Sequence, residues 1–248
     1  TLWTNGPKES FEFFDYTFDD HFKHPLPVYI PRQIVLDYML ARVTRNNPTF
    51  YENVKFNTKI IFVTYDEDAS KFEITTENTL TGVTSIEYFD KCIWAAGDNG
   101  KPKIDKGIRK LLQVGNYKGE CMHSSDVGEY FGQIKNKRIL LIGDAYSAED
   151  LALSAIKQGV EKVFIYSRKG EGIALCNSSW PKAKVEIITT HSPTGIIQDG
   201  FGIEFTESSF DYDLRRVMVI EDGEKLQLTD ISAVIYCTGY YDNLSILD

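Results

Sequence analysis

The sequence predicts an α/β protein in which a dinucleotide-binding unit follows a region of antiparallel strands. Three observations carry this. Residues from about 53 to 97 alternate apolar and polar side chains and are cut by turn residues. From Lys135 the texture changes to buried apolar runs separated by helical periodicity. Within that region Lys137 to Gly170, "KRILLIGDAYSAEDLALSAIKQGVEKVFIYSRKG", runs strand, glycine turn, helix and second strand, the order of a Rossmann-like nucleotide-binding unit.

The elements follow in chain order. Residues 1 to about 50 are aromatic-rich and punctuated by proline. Pro31 opens an amphipathic helix from Ile34 to about Arg45, with Ile34, Val35, Tyr38, Met39 and Val43 as its apolar stripe. "VKFNTKIIFVTYDED" and "KFEITTENT" flank a turn at Asp66 to Ser70, and another turn at Thr81-Gly82 precedes "TSIEYFDKCIWAAG". The apolar run Cys92 to Ala96 predicts a strand buried on both faces. "KRILLIG", "KVFIYSR", "AKVEIITT" and "DISAVIYCTG" read as buried strands, and the helix after the first ends at Gly159. "RRVMVIEDGEKLQL" reads as a hairpin turning at Asp222-Gly223.

Bulk properties narrow the function. A net charge of −9 argues against nucleic acid as a partner, which requires a basic face. No apolar run reaches the roughly 18–20 residues needed to span a bilayer, so no membrane partner is expected, and no signal-peptide pattern opens the chain. Cys92, Cys121, Cys176 and Cys237 form no C-x-x-C and no metal-ligand spacing; reduced thiols in a cytoplasmic setting are expected, and no metal. The chain begins at Thr1 without a methionine and is expected to be an excerpt of a longer protein.

The glycine turn carries the chemistry. A helix N-terminus beneath it offers free N–H groups and the positive dipole end to a phosphate. Of G-x-G-x-x-G only Gly143 is present, with Ala145 and Ala148 at the other two positions. Asp144 puts a negative charge in a turn meant for an anion. Roughly 25 residues after Gly143, where an NAD site carries an acid, stand Ser167, Arg168 and Lys169. A guanidinium and an ammonium suit a 2′-phosphate, which favours NADPH over NADH.

Five stretches in order carry a resemblance: "LWTNGPKESFEFFDYTFDDHF" with "YIPRQIVLDYM", "FDKCIWAAGDNGKPKI", "YKGECMHSSDV", the turn "YSAED", and "DISAVIYCTGYYDN". Together they resemble the flavin-containing monooxygenases, nearest their bacterial trimethylamine-oxidising branch. The resemblance covers essentially the whole chain. Tyr117, Val127 and Ala96 depart from its usual residues.

The resemblance implies a flavoprotein with two dinucleotide-binding domains. Residues 1–134 would belong to an FAD-binding domain with an antiparallel strand region, 135–236 to an inserted NADPH-binding domain, and 237–248 to the return into the FAD domain. The family's FAD fingerprint precedes the "LWTNGPKE" stretch, so this chain alone is expected neither to hold FAD firmly nor to act. The implied reaction is N-oxygenation of small amines such as trimethylamine, with O2 as co-substrate, through a flavin C4a-hydroperoxide; a homodimer is a family expectation. Asn5 and Tyr146 are the implied catalytic residues. The implied cofactor contacts are Trp3, Asn5, Lys8, Ile60, Gly143, Asp144, Ala145, Tyr146, Ser147, Arg168, Lys169, Thr238 and Gly239. His123 is expected to be structural. The acidic cluster Asp15, Asp19 and Asp20 reads as a solvated loop face, with attraction of a cationic amine as the alternative. Other readings are a Baeyer–Villiger monooxygenase, a nucleotide:disulfide reductase, disfavoured by the missing C-x-x-C, and a degenerate NADP-binding module kept for interaction.

Overall fold

A computed structural model describes residues 3, 4, 6–97, 99–169, 180–197, 199–242 and 244–247. The chain forms two compact units, Thr1–Ile93 with Leu244–Asp248 and Trp94–Asn243. Among the described residues no helix is long and apolar enough to cross a membrane, and Cys92, Cys121 and Cys237 are free thiols. Cys176 lies outside the described residues.

The first unit holds two helices and a small sheet. Helix α1 (Phe18–Phe22) opens with a capping box: Thr17 Oγ1 accepts the Asp20 N–H, and the Asp20 carboxylate accepts the Thr17 N–H, both at 3.0 Å. Helix α2 (Arg32–Thr44) starts behind Pro31 and buries Tyr38 against Phe18, with ring centroids 4.1 Å apart. Ile34 and Val35 pack on this cluster, whereas Met39 and Val43 of the expected stripe are exposed. The aromatic cluster seats on the Tyr38 side, and Met39 lies about 100° further round the helix. The acidic residues are used locally: Asp20 caps α1, and Asp15 takes a forked pair of hydrogen bonds from Arg42 at 3.1 and 2.8 Å.

Strands β1 (Thr58–Asp66), β2 (Lys71–Asn78) and β3 (Thr84–Phe89) form an antiparallel sheet in that order. The turns fall at 67–70 and around Thr81-Gly82, where Asn78 Oδ1 accepts the N–H groups of Leu80 and Thr81, each at 3.0 Å. A register shift in β1 between Ile60 and Phe62 bulges the strand. The expected buried strand at Cys92 to Ala96 is absent: the segment is irregular and Ile93 is 88% exposed. Among the described residues no strand lies beside it, so its backbone finds no ladder to join.

The second unit begins with β4 (Lys101–Pro102), helix α3 (Lys106–Val114), β5 (Glu120–His123) and α4 (Gly128–Phe131). Then come β6 (Arg138–Ile142), helix α5 (Tyr146–Lys157), β7 (Lys162–Tyr166) and β8 (Val185–Ile188). After them come β9 (His191–Ile196), β10 (Ile203–Asp211), β11 (Arg216–Val219), β12 (Lys225–Leu228), β13 (Ile231–Tyr236) and β14 (Tyr240–Tyr241). Five of these strands make an all-parallel sheet in the order β5-β13-β6-β7-β8. Its inner strands β13, β6 and β7 are near-continuous apolar runs because both faces are covered. One face packs Ile139, Leu141 and Ala233 on Ala148, Ala152 and Ala155 of α5 and on Phe131. The other packs Leu140, Phe164 and Tyr166 on Leu112 of α3 and on Ile203 and Phe205 of β10. Each fully buried Leu, Ile or Phe side chain contributes about 1.5–3 kcal/mol. Residue 134 falls inside this unit, because β5 pairs with β13 and α3 covers the sheet.

The expected hairpin at Asp222-Gly223 is not one. β11 and β12 both pair with β10, not with each other. Ile220 N–H donates to the Glu207 carbonyl at 2.9 Å, and Glu207 N–H to the Glu224 carbonyl at 2.8 Å. Residues 221–223 are therefore looped out of one continuous edge line along β10, and β9 pairs with Ile203 to Glu207 of the same strand.

Candidate functional site: the nucleotide turn

The tips of β6, β7 and β13 meet at Gly143. Its N–H donates to the Tyr166 carbonyl at 2.9 Å, and Cys237 N–H donates to the Ile142 carbonyl at 2.8 Å. Gly143 has φ +107, and a Cβ there would lie 2.6 Å from the Cys237 carbonyl oxygen. Both the backbone angle and the close approach of a second strand demand glycine. Cys237 itself is buried, which pushes its thiol up to about 12.

Helix α5 starts directly after the turn. Ala145 is its N-cap with extended dihedrals and no side-chain capping bond. The first helical N–H groups thus keep their capacity for an anion. Ala148, at the third fingerprint position, is fully buried against the sheet, where its methyl fills the helix–strand contact. Tyr146 is 61% exposed at the helix start and Ser147 is half-buried beside it.

Asp144 does not aim its charge at the helix N-terminus unaided. Its Oδ2 accepts a hydrogen bond from Ser167 Oγ, just past the end of β7. The next two residues are the exposed cations Arg168 and Lys169. The guanidinium carbon of Arg168 and Nζ of Lys169 each lie 5.5 Å from the centroid of the Phe210 ring. A turn that needs glycine, an uncapped helix start, a carboxylate engaged sideways and two cations at the second strand tip fit a dinucleotide bearing a 2′-phosphate.

On the far side of β13, Thr238 Oγ1 donates to the Lys103 carbonyl, and Gly239 carbonyl accepts the Lys103 N–H at 2.9 Å. The same carbonyl accepts from Nε2 of buried His123 at 3.0 Å. His123 Nδ1 in turn accepts the Ser125 N–H at 3.2 Å. Both ring nitrogens are thus hydrogen-bonded within the fold. Tyr117 departs from the family phenylalanine, yet its hydroxyl donates to the Ile231 carbonyl at 2.7 Å. A Cβ at Gly119 would collide with that hydroxyl, so the glycine makes its room.

The structure thus gathers Gly143, Asp144, Ala145, Tyr146, Ser147, Arg168 and Lys169 around one turn, with Thr238 and Gly239 following β13 in the same unit. Trp3, Lys8 and Ile60 lie in the first unit. Trp3 bridges Pro31 and is 51% exposed. Lys8 pairs with Glu9 at 3.1 Å, and that hydrogen bond raises its pKa. Ile60 sits at the β1 bulge. Asn5 lies outside the described residues. Sequence reasoning passed over Phe210 and Tyr212; the aromatics of "SFDYD" in an otherwise polar stretch were the available signal.

A parallel sheet covered on both faces, with a glycine turn into a helix, defines a nucleotide-binding α/β protein. A family model described as flavin-binding monooxygenase-like matches residues 1–194, and the chain belongs to that family. It is 31% identical over 248 residues to a trimethylamine monooxygenase of Pelagibacter sp. (strain HTCC7211), covering 100% of this chain and 48% of that protein. The trimethylamine monooxygenase of Pelagibacter ubique (strain HTCC1002) is 33% identical over 242 residues, covering 96% and 46%. The crystal structure of Tmm from Pelagibacter sp. strain HTCC7211 superposes with a TM-score of 0.77 at 31% identity, over 100% of this chain and 48% of that one. The FAD-bound cadaverine monooxygenase DfoA of Erwinia amylovora shares the fold, with a TM-score of 0.61 at 12% identity over 99% of this chain and 69% of that one. The chain spans about half the length of the curated relatives it matches.

Proposed function

We propose that the protein carrying this chain is an FAD- and NADPH-dependent monooxygenase that N-oxygenates small amines of the trimethylamine kind. The observation that carries the nucleotide half is the Gly143 turn with Arg168 and Lys169 at the tip of β7. The amine half is supported by relatives named trimethylamine monooxygenase at 31–33% identity across nearly the whole chain. In this reading residues 135–236 serve NADPH, while residues 1–134 and 237–248 belong to the FAD side. Ser147 and the backbone of the turn from Gly143 to Ala145 hold the pyrophosphate at the start of α5, Arg168 and Lys169 take the 2′-phosphate, and Trp3, Lys8, Ile60, Thr238 and Gly239 are assigned as FAD contacts. Flavin, when bound, supplies the activation of O2. The chain's own task is to bind and orient the nicotinamide cofactor and to exclude water, with Asn5 and Tyr146 assigned the catalytic roles. The engagement of Asp144 by Ser167 supports a working turn over a degenerate one.

The test is amine-dependent NADPH oxidation by the FAD-loaded full-length protein, with the N-oxide identified by mass spectrometry. Trimethylamine N-oxide formed stoichiometrically with NADPH consumed is the expected result. Turnover of a cyclic ketone to a lactone, with amines inert, would move the assignment to the Baeyer–Villiger class.

A further inference from the structure

Strands β7 and β10 belong to different sheets, yet a chain of hydroxyls ties their registers together. Tyr166, the last residue of β7, places its hydroxyl 2.8 Å from Ser192 Oγ, which lies 2.9 Å from Ser208 Oγ on β10. Ser208 N–H also donates to the Thr190 carbonyl at 2.7 Å. Two residues beyond each anchor stand Arg168 and Phe210. The ring of Phe210 carries both cations on it, each 5.5 Å from the centroid.

The ring is itself held. It pairs through its backbone with Val217 in β11, and the Tyr212 ring meets it edge-on at 5.1 Å and 82°. Asp211 closes the turn by accepting the Asp213 and Leu214 N–H groups at 3.0 and 2.9 Å. Neither Arg168 nor Lys169 has a carboxylate partner among the described residues. Two adjacent cations repel each other and carry large rotamer freedom. The shared Phe210 ring attracts both without neutralising either, so their charge stays available to an anion.

We infer that Phe210 is the positioning residue for selectivity between NADPH and NADH: it holds Arg168 and Lys169 as a preformed cradle for the 2′-phosphate monoester. This rests on the NADPH reading above. It assigns a specificity role to the β10–β11 hairpin, which the nucleotide turn itself does not contain.

The experiment measures kcat and KM for NADPH and for NADH in flavin reduction by the FAD-loaded full-length protein. Phe210→Leu keeps apolar bulk without a π face and Phe210→Trp strengthens the face; each is made alone and with Arg168→Ala/Lys169→Ala. Phe210→Leu is expected to lower the NADPH-to-NADH ratio of kcat/KM about three- to tenfold, through KM for NADPH alone. Phe210→Trp should retain the ratio, and Phe210→Leu should add nothing once the two cations are gone. A fall in the double-alanine variant with no change in Phe210→Leu overturns this inference and leaves the NADPH reading standing. An equal loss for both nucleotides in Phe210→Leu overturns it as well, since that is a structural effect. A double-alanine variant with the wild-type ratio overturns the NADPH reading and this inference with it.

Discussion

Ser167 Oγ donates a hydrogen bond to the carboxylate of Asp144, joining the tip of β7 to the turn between β6 and α5. The bond turns a charge that would oppose phosphate binding into a strut. Ser167→Ala removes this donor and leaves the carboxylate beside the helix N-terminus. KM for NADPH is expected to rise about fivefold with kcat unchanged. Adding Asp144→Ala to Ser167→Ala should recover most of that loss in steady-state kinetics.

Gly143→Ala sets a methyl against the Cys237 carbonyl at a positive φ. Neither backbone can give way, since β6 and β13 are hydrogen-bonded partners. A destabilisation of about 2–4 kcal/mol is expected in urea unfolding, together with loss of NADPH binding in the fraction that remains folded. A variant of wild-type stability and affinity would show that the turn relaxes.

His123 bolts β5 to the loop after β13 through Gly239 and Ser125. His123→Ala is expected to cost about 2–3 kcal/mol of stability by removing a buried ring together with its hydrogen bonds to the Gly239 carbonyl and the Ser125 N–H. Turnover per folded molecule should stay within about threefold of wild type. A loss of turnover at unchanged stability would make the histidine a participant in the chemistry instead.

Burial raises the Cys237 thiol to about 12 from an ordinary value of 9.0. In the window between those values the unfolded chain has lost a proton that the folded chain keeps. Stability therefore falls as pH rises above about 9, by about 1.4 kcal/mol per pH unit for this one group. Urea unfolding between pH 8 and 10 should show the decline, and Cys237→Ala should flatten part of it. An unchanged slope in that variant would assign the decline to other groups.

What was legible in the sequence tracks what is local. The turn, its helix and the flanking strands follow from a glycine, periodicity and a C-terminal Gly159, all within one contiguous stretch. The turns of the first sheet were legible for the same reason. The sheet of β9 to β12 was misread because an Asp-Gly turn within a single strand line looks, in sequence, like a hairpin. The Cys92 to Ala96 run is as apolar as a buried strand, but apolarity does not supply a neighbour. The aromatics of "SFDYD" stood out in sequence, but the contact of Phe210 with Arg168 and Lys169 did not, because β7 and β10 bring it together from segments about 40 residues apart.

The most direct test of the turn is calorimetric titration of the FAD-loaded full-length protein with NADPH and with NADH, Arg168→Ala alongside. NADPH is expected to bind at least about tenfold tighter than NADH, with most of that preference lost in Arg168→Ala. NADH binding as tightly as NADPH, or a natively folded protein binding neither, would contradict it.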